Sequence, residues 1–154
     1  TKEPVMIRPA KQEDLRRIIE MCERFYPFTT YNLKSKIPFD VDATALLAST
    51  MIDSHVVLVA EIDEKVVGVI GIILMPFIFN PERIHAGEII WWVEPEHIGE
   101  GVGRQLLRAA DQACKEKNAT HIQMIDIECS PVRAETLYRS EGYELTERSF
   151  TKVI

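Results

Sequence analysis

Continuous apolar runs alternate along this chain with stretches in which apolar residues recur every three or four positions. A short continuous run is typical of a buried strand, whereas the three-to-four spacing is typical of an amphipathic helix. The runs predict strands at 5–8, 55–62, 66–75, 86–93, 121–128 and 143–153. The helical spacing predicts helices at 10–24, 41–53 and 101–118. A last helix is predicted to open at Ser130-Pro131, because Ser is a favoured N-cap and Pro a favoured first helical residue.

The connections between these elements carry local signals of their own. Asp63-Glu64-Lys65 predicts a hairpin turn between two strands. Gly68 and Gly71, inside the strand that follows, predict a bulge or a close approach of another backbone. The segment 25–42 is predicted to be irregular or partly helical, and 76–85 to be a loop. The order β-α-α-β-β-β-α-β-α-β predicts a mixed α/β fold with a largely antiparallel sheet and one right-handed β-α-β unit.

A glycine-rich segment joins the strand at 86–93 to the helix at 101–118. Glycines stand at 99, 101 and 103, directly where the helix begins. A helix N-terminus offers unpaired N–H groups and the positive end of the dipole, so the segment predicts an anion site, most naturally for phosphate. The P-loop and G-x-G-x-x-G patterns do not fit, because no Lys-Ser or Lys-Thr follows and the glycines run G-x-G-x-G. The alternative is a connection without a ligand.

Two motifs give the chain a resemblance to a known family. The segment V-E-P-E-H-I-G-E-G-V-G at 93–103 resembles the pyrophosphate-binding loop of the GCN5-related N-acetyltransferases (GNAT). The segment A-E-T-L-Y-R-S-E-G-Y at 134–143 resembles the closing motif A-x-x-L-Y-x-x-x-G-[FY] of the same family. The resemblance covers about residues 5–145. It implies a GNAT-like mixed α+β fold, with a sheet of about six to seven strands, a β-α-β core that binds acetyl-CoA and about four helices.

The resemblance also implies acetyl-CoA as the cofactor and indicates which residues bind it. Val93 would carry the amide nearest the thioester, and pantetheine would pair with this strand as an added strand. The pyrophosphate would lie on the loop formed by Ile98, Gly99, Glu100, Gly101, Val102, Gly103 and Arg104. Ile98 stands where the family usually has Arg or Gln, and Pro131 where it often has Asn, so two usual CoA contacts are missing. Arg104 is the candidate replacement, because Arg pairs well with phosphate oxygens.

Acetyl transfer from a thioester to an amine needs N–H donors for the developing oxyanion, a base for the ammonium and, for some leaving thiolates, an acid. Tyr138 is the candidate acid, since a phenol with a reference pKa of about 10 stays protonated. The alternative is that Tyr138 only packs. Glu88 is the favoured base, and the alternatives are Asp126, Glu128 or a water chain. Asp126 and Glu128 are predicted to share one face of a strand.

The implied function is acetyl-CoA-dependent N-acetylation of a primary amine, of a small molecule or a protein, by direct attack in a ternary complex. The alternative is a catalytically inactive acyl-CoA-binding or protein-interaction domain on the same fold, because a fold does not fix a function. Trp91 and Trp92 are predicted to point to opposite faces of their strand. The aromatic clusters at 25–28 and 76–79 are either core or dimer contacts, or walls of an acceptor groove.

Composition narrows the class of protein further. The 154 residues are 46% apolar and 27% charged, which fits one globular domain. With the resemblance, this implies a single N-acetyltransferase domain over 1–154. The net charge of −6 argues against nonspecific nucleic-acid binding and slightly favours a cationic amine. No apolar run approaches membrane-spanning length, and the first residues lack the apolar core of a signal peptide. Three widely spaced cysteines with no metal-ligand pairing favour the cytoplasm and no metal. A homodimer is an expectation from the family alone.

Overall fold

The computed structural model of the protein describes residues 3–131 and 133–154. The strands are β1 (Met6–Pro9), β2 (Val56–Ile62), β3 (Lys65–Phe77), β4 (Asn80–Val93) and β5 (Ala119–Gln123). The helices are α1 (Leu15–Phe25), α2 (Thr30–Leu33), α3 (Val41–Ser54), α4 (Val102–Glu116) and α5 (Ala134–Ser140). Short 3₁₀ turns lie at Gln12–Asp14, Tyr26–Phe28 and Pro95–His97.

The strands form one sheet in the order β1-β2-β3-β4-β5. Neighbours from β1 to β4 pair antiparallel, and β4 pairs parallel with β5. Helix α4 connects the last two strands, which gives the predicted β-α-β unit. The predicted fold class is therefore confirmed, with five strands in the described chain where six to seven were expected.

Strand β2 shows why the sheet is covered on both faces. Its buried residues alternate between two apolar clusters: Val56, Leu58 and Ala60 pack with α4 and α5, whereas Val57 and Val59 pack with α1 and α3. Because side chains on a strand point alternately to opposite faces, a continuous apolar run is what a doubly covered strand requires. Trp91 and Trp92 divide between the same two clusters, as predicted.

The β3–β4 pair contains the irregularity that the glycines predicted. Gly71 pairs with Ile90 and Ile72 pairs with Glu88, so Ile89 faces no residue on β3 and forms a bulge. At Gly68 a Cβ would come within 3.1 Å of the Trp92 carbonyl oxygen, so glycine permits the close approach of the two strands. The hairpin turn before β3 is also confirmed.

The loop predicted at 76–85 is wrong, because β3 continues to Phe77 and β4 begins at Asn80. Pro76 lies within β3, although proline is uncommon inside strands. The pairing of β2 with β3 ends at Ile72, so the rest of β3 pairs with β4 alone and has a free edge. Proline is tolerated on such an edge, because its missing N–H removes no ladder hydrogen bond there.

Two predicted boundaries in the last third of the chain are also wrong. The strand predicted at 121–128 ends at Gln123, so Asp126 and Glu128 lie outside it and share no strand face. The last helix begins at Ala134, because the Ser130 hydroxyl accepts a hydrogen bond from the Ile127 N–H and closes an earlier turn; residue 132 lies outside the described residues.

The strand predicted at 143–153 is absent from the described residues of that segment. Leu145, Phe150 and Val153 are exposed, whereas Tyr143 packs against the core at the end of α5. A strand is stabilised by its partners, and none of the described strands pairs with this segment. Across the described residues, no helix has both the length and the apolar character that crossing a membrane demands.

Substitution of Leu106 tests the packing of α4 on the sheet. Leu106 is 0% exposed, whereas Leu46 on α3 is 71% exposed. We expect Leu106→Ala to lower the free energy of unfolding by about 2–5 kcal/mol, because it removes buried methyl groups and leaves a cavity. Urea denaturation measures this change. Leu46→Ala is the matched control and should shift it by less than about 0.5 kcal/mol. Equal effects of the two variants would contradict the packing described.

Candidate active site

Strands β4 and β5 separate halfway along β4. Their parallel pairing covers Ile84 to Gly87 opposite Ala119 to Gln123, while β4 continues to Val93. The part of β4 from 88 to 93 therefore has a backbone edge that β5 does not cover. Beyond Gly87 this edge can accept an extended ligand in place of a strand.

The amide of Val93 points to this free edge. The N–H of the next residue, Glu94, donates to the Val67 carbonyl on β3 at 2.8 Å. Because N–H groups alternate in direction along an extended strand, the Val93 N–H points away from β3. Val93 thus lies at the end of the edge that β5 leaves, and its N–H points to that edge.

The glycine loop begins directly after the turn that ends β4. Gly99 and Gly101 have φ of +88° and +83°, and no heavy atom lies within 4 Å of a Cβ built at either position. Gly101 is the N-cap of α4 and supplies no side-chain cap. In the chain as described, none of the backbone N–H groups from 99 to 104 donates to another backbone group. This open cradle of N–H groups at a helix N-terminus fits a pyrophosphate.

The Trp91 side chain packs against Gly103 in the first turn of α4, next to the glycine loop. Its Nε1–H donates to the Gly103 carbonyl at 3.2 Å, and its ring lies 3.4 Å from where a Cβ of Gly103 would be. A Cβ at 103 would be in van der Waals contact with this ring. The close packing of Gly103 on Trp91 sets the position of the first turn of α4 relative to β4.

The side chains of the loop make their contacts elsewhere. The Ile98 N–H donates to the Pro95 carbonyl at 3.3 Å, and the Ile98 side chain is exposed. The Glu100 carboxylate pairs with His97 at 2.9 Å. Arg104 pairs with Glu141 of the α5 end at 2.6 Å. The cradle therefore consists of backbone groups, and the Arg104 guanidinium is engaged on the α5 side.

Glu88 and Tyr138 meet at a single residue, Ile125. The Ile125 N–H donates to Glu88 Oε2 at 3.0 Å, and the Tyr138 hydroxyl donates to the Ile125 carbonyl at 3.0 Å. Ile125 lies just beyond the end of β5. The Tyr138 ring packs on Trp91, with the ring centroids 5.5 Å apart. The two residues predicted to carry the chemistry thus lie together beside the free edge of β4.

The surroundings of Glu88 and Tyr138 give the two side chains different protonation states at neutral pH. Burial raises the pKa of Glu88 to about 7, the Ile125 N–H partly opposes this, and the Asp126 charge adds to it. Burial and the same two carboxylates also raise the pKa of Tyr138 well above that of an ordinary phenol. Glu88 therefore titrates near neutral pH, whereas Tyr138 keeps its proton.

The other two base candidates differ from Glu88. Asp126 is exposed in the irregular segment after β5. Glu128 pairs with Lys34 at 2.8 Å, and this partner lowers the pKa of the Glu128 carboxyl. A base that works at neutral pH is best matched by a pKa near 7, so Glu88 fits the role best.

Sequence reasoning missed Glu94, which is 0% exposed. Its carboxylate accepts from Trp92 Nε1 at 3.2 Å and lies 2.8 Å from Arg24 and 3.5 Å from Arg17. A buried carboxylate is stable only when it is paired in this way. The sequence did contain an indication of a site for a buried carboxylate, because the arginines at positions 17 and 24 are seven apart and so share one face of a helix.

Comparison with known proteins identifies the class of this fold and site. The model of the acetyltransferase (GNAT) family matches residues 14–143. The chain therefore belongs to the GNAT acetyltransferase family. No curated protein sequence matches the chain at a significant level.

Several solved structures share the fold. A predicted acetyltransferase with acetyl-CoA from Clostridium acetobutylicum is 15% identical, with a TM-score of 0.74 and coverage of 97% of this chain and 96% of its own. An aminoglycoside acetyltransferase from an uncultured soil metagenomic sample, in complex with trehalose, is 19% identical (TM-score 0.72, coverage 97% and 96%). A transcriptional regulator from Bacillus halodurans C-125 is 19% identical (TM-score 0.72, coverage 98% and 100%). Identities this low establish the fold alone.

Glu88→Gln tests the raised pKa of Glu88 through stability. A carboxyl whose folded pKa lies above its unfolded value stabilises the fold below the unfolded pKa and loses that contribution as the pH rises through the folded value, here about 7. Gln mimics the protonated acid. The melting temperature of Glu88→Gln minus that of the wild type should therefore become more positive as the pH rises from about 5.5 to 8.5.

Glu128→Gln is the control for this titration. Its folded pKa is lowered, so its contribution is present above the unfolded value and is lost only in acid. Its melting-temperature difference from the wild type should stay level over the same interval. If the Glu88→Gln difference stays level too, the raised pKa of Glu88 is refuted.

Proposed function

We propose that this protein is an acetyl-CoA-dependent N-acetyltransferase that acetylates a primary amine by direct attack in a ternary complex. The observation that carries the proposal is the arrangement along β4. One strand bears Glu88 at the start of its free edge, ends that edge with the Val93 amide and leads directly into the glycine loop. Donor binding, oxyanion stabilisation and proton acceptance are thus available side by side.

The donor would be held by backbone groups. The N–H groups from 99 to 104 would bind the pyrophosphate, and the free edge of β4 would pair with the pantetheine arm. When bound, acetyl-CoA supplies the acetyl group as a thioester. The Val93 N–H points to the same edge and would donate to the oxygen that gains charge during attack. Because these contacts use main-chain groups, Ile98 does not prevent binding.

Glu88 would accept a proton from the incoming ammonium. Its Oε2 is fixed by the Ile125 N–H, which leaves Oε1 free to accept. At a pKa of about 7 a large fraction is ionised at neutral pH, and the carboxylate is still basic enough to take a proton. Burial, which destabilises the charged form, is what gives Glu88 this property.

Tyr138 is better suited to donate a hydrogen bond than to lose its proton. A thiol has a reference pKa of about 8.5, so full transfer from a phenol above 10 to a thiolate is unfavourable. The raised pKa of Tyr138 makes transfer still less favourable. We therefore propose that, with acetyl-CoA bound, the hydroxyl turns from the Ile125 carbonyl and donates its hydrogen bond to the departing sulfur, while its ring stays packed on Trp91.

We also propose a cytoplasmic location. Cys22, Cys114 and Cys129 are all free thiols in the structure. Sparse, unpaired cysteines are the usual state in a reducing compartment.

Titration calorimetry with acetyl-CoA tests the donor site. We expect binding in the wild type and a Kd at least about tenfold higher in Gly101→Glu, equivalent to about 1.4 kcal/mol, because the substitution adds a negative charge to the cradle and forces a side chain into φ of +83°. Asn118→Glu adds the same charge beyond the opposite end of α4, at φ of +63°, and should leave the Kd unchanged. No binding by the wild type would reject the proposed function.

Steady-state kinetics tests the two side chains. Glu88→Gln should lower kcat by about a hundredfold or more and remove the rise of kcat/KM through a pH of about 7, because the base is lost. Tyr138→Phe should lower kcat by about tenfold, with the Kd for acetyl-CoA retained, because one hydrogen bond is lost.

The control for Tyr138→Phe is Tyr143→Phe, which also removes a buried hydroxyl. Tyr143 donates to Asp111, away from Ile125, so kcat should be unchanged. Binding of acetyl-CoA without turnover of any amine would favour the inactive acyl-CoA-binding alternative.

A further inference from the structure

A cavity of about 170 Å³ lies on the sheet face that carries α1 and α3. Val57 and Val69 form its floor, and Ile18 of α1 and Met51 of α3 line its walls. An apolar cavity of about 150 Å³ can stay dry and bind benzene. This cavity therefore has room for one phenyl ring or a branched aliphatic group.

The lining offers an occupant almost no polar partner. Among the described residues that line it, none is charged. The Tyr26 hydroxyl already donates to the Ile37 carbonyl at 2.6 Å, and the Thr44 hydroxyl to the Asp40 carbonyl at 2.7 Å. Burial raises the pKa of the Cys22 thiol to about 11, so it is neutral. A polar group that entered would lose its hydrogen bonds to water without replacement, so the cavity selects apolar groups.

The cavity reaches the free edge of β4, and its mouth is taken as the part that the exposed residue Ile89 lines. Ile89, the bulge residue, and Ile90 both line it, and Ile89 is 47% exposed. The neighbouring residue is Glu88, whose side chain lies on the other face of the sheet, bonded to Ile125. One residue of strand edge thus separates the proposed base from the mouth of the cavity.

The aromatic segment between α1 and α3 forms part of the same mouth. Tyr26 and Phe39 line the cavity, and their ring centroids are 5.3 Å apart. The sequence predicts the aromatic cluster at 25–28 to be either core or dimer contact, or groove wall. Both rings are half-buried and border open space, which is the arrangement of a groove wall.

We infer that this cavity holds the apolar group of the acceptor, and that the acceptor is a small primary amine with a phenyl or branched aliphatic group near its nitrogen. The inference rests on the proposed function, since it places the nitrogen at the free edge of β4. There the ammonium gives one proton to Glu88. The nitrogen then bonds to the acetyl carbon as the carbon–sulfur bond breaks, and its second proton passes to the sulfur.

Acetylation rates for two amines test the inference. We expect kcat/KM for phenethylamine to exceed that for ethanolamine by about tenfold or more, as burial of several carbons predicts. Ala48→Leu extends a side chain of α3 into the cavity and should reduce this preference by about tenfold, with an unchanged Kd for acetyl-CoA. Ala43→Leu makes the same change on the exposed surface of α3 and should leave the preference intact.

A substitute variant and three contrary outcomes keep the test decisive. If Ala48→Leu fails to fold, Leu47→Ala, which widens the mouth, should raise kcat/KM for naphthylethylamine relative to phenethylamine. If acetyl-CoA binds and the kcat/KM for ethanolamine or a polyamine equals or exceeds that for phenethylamine, this inference is wrong while the proposed function stands. If neither binding nor acetylation of any amine occurs, the proposed function itself fails. A preference that neither Ala48→Leu nor Leu47→Ala alters would also overturn the inference.

Discussion

The separation of β5 from β4 after Gly87 is the constraint on which the site depends. Backbone groups that leave a sheet must find other partners, because an unpaired buried N–H or carbonyl is costly. At Ile125 these partners are side chains: Glu88 accepts its N–H and Tyr138 donates to its carbonyl. The groups proposed to carry the chemistry therefore also satisfy the backbone of the diverging chain, so the geometry of the gap and the position of these groups are set by the same hydrogen bonds.

The opposite end of the free edge is anchored by Glu94. Its buried carboxylate holds Arg17 and Arg24 of α1 and the indole of Trp92, and its N–H holds β3. Removal of one partner from such a pair leaves an uncompensated charge, which is strongly destabilising. Helix α1, which lines the apolar cavity, is thereby tied to the end of β4. The acceptor side and the donor side of the proposed site share this one strand.

Much of the fold could be predicted from the sequence, because residue type and the spacing of apolar residues determine many of its elements locally. The positive φ of Gly99 and Gly101 and the apolar face of α4 were all readable from residue type and spacing. The errors arose where tertiary context overrides local signals. Proline disfavours a strand locally, but Pro76 is accommodated in β3 because it lies on a free edge. The alternation of apolar and polar residues around Ile125 favours a strand locally, but β5 ends at Gln123.

For the candidate site, the sequence motifs indicated Tyr138 and Val93, and the structure brings both beside the free edge of β4. Their roles in binding and catalysis stay predictions. The choice among Glu88, Asp126 and Glu128 depended on burial, which spacing does not reveal. Glu94 escaped attention for the same reason, since a carboxylate before a proline is usually solvated.

The bulge at Ile89 shifts by one residue the alternation of side chains between the two faces of β4. Ala86 packs on the α4 side before it, and Trp91 and Val93 pack on that side after it, so two stretches of opposite parity share one face. A regular strand that kept residue 89 in the alternation would have to send either Glu88 or Trp91 to the wrong face. What the bulge contributes is therefore a count: many side chains could stand at 89, and deletion of the residue would let the Ile72–Glu88 and Gly71–Ile90 pairs follow one another in a regular ladder, with the two faces kept and the local bend lost.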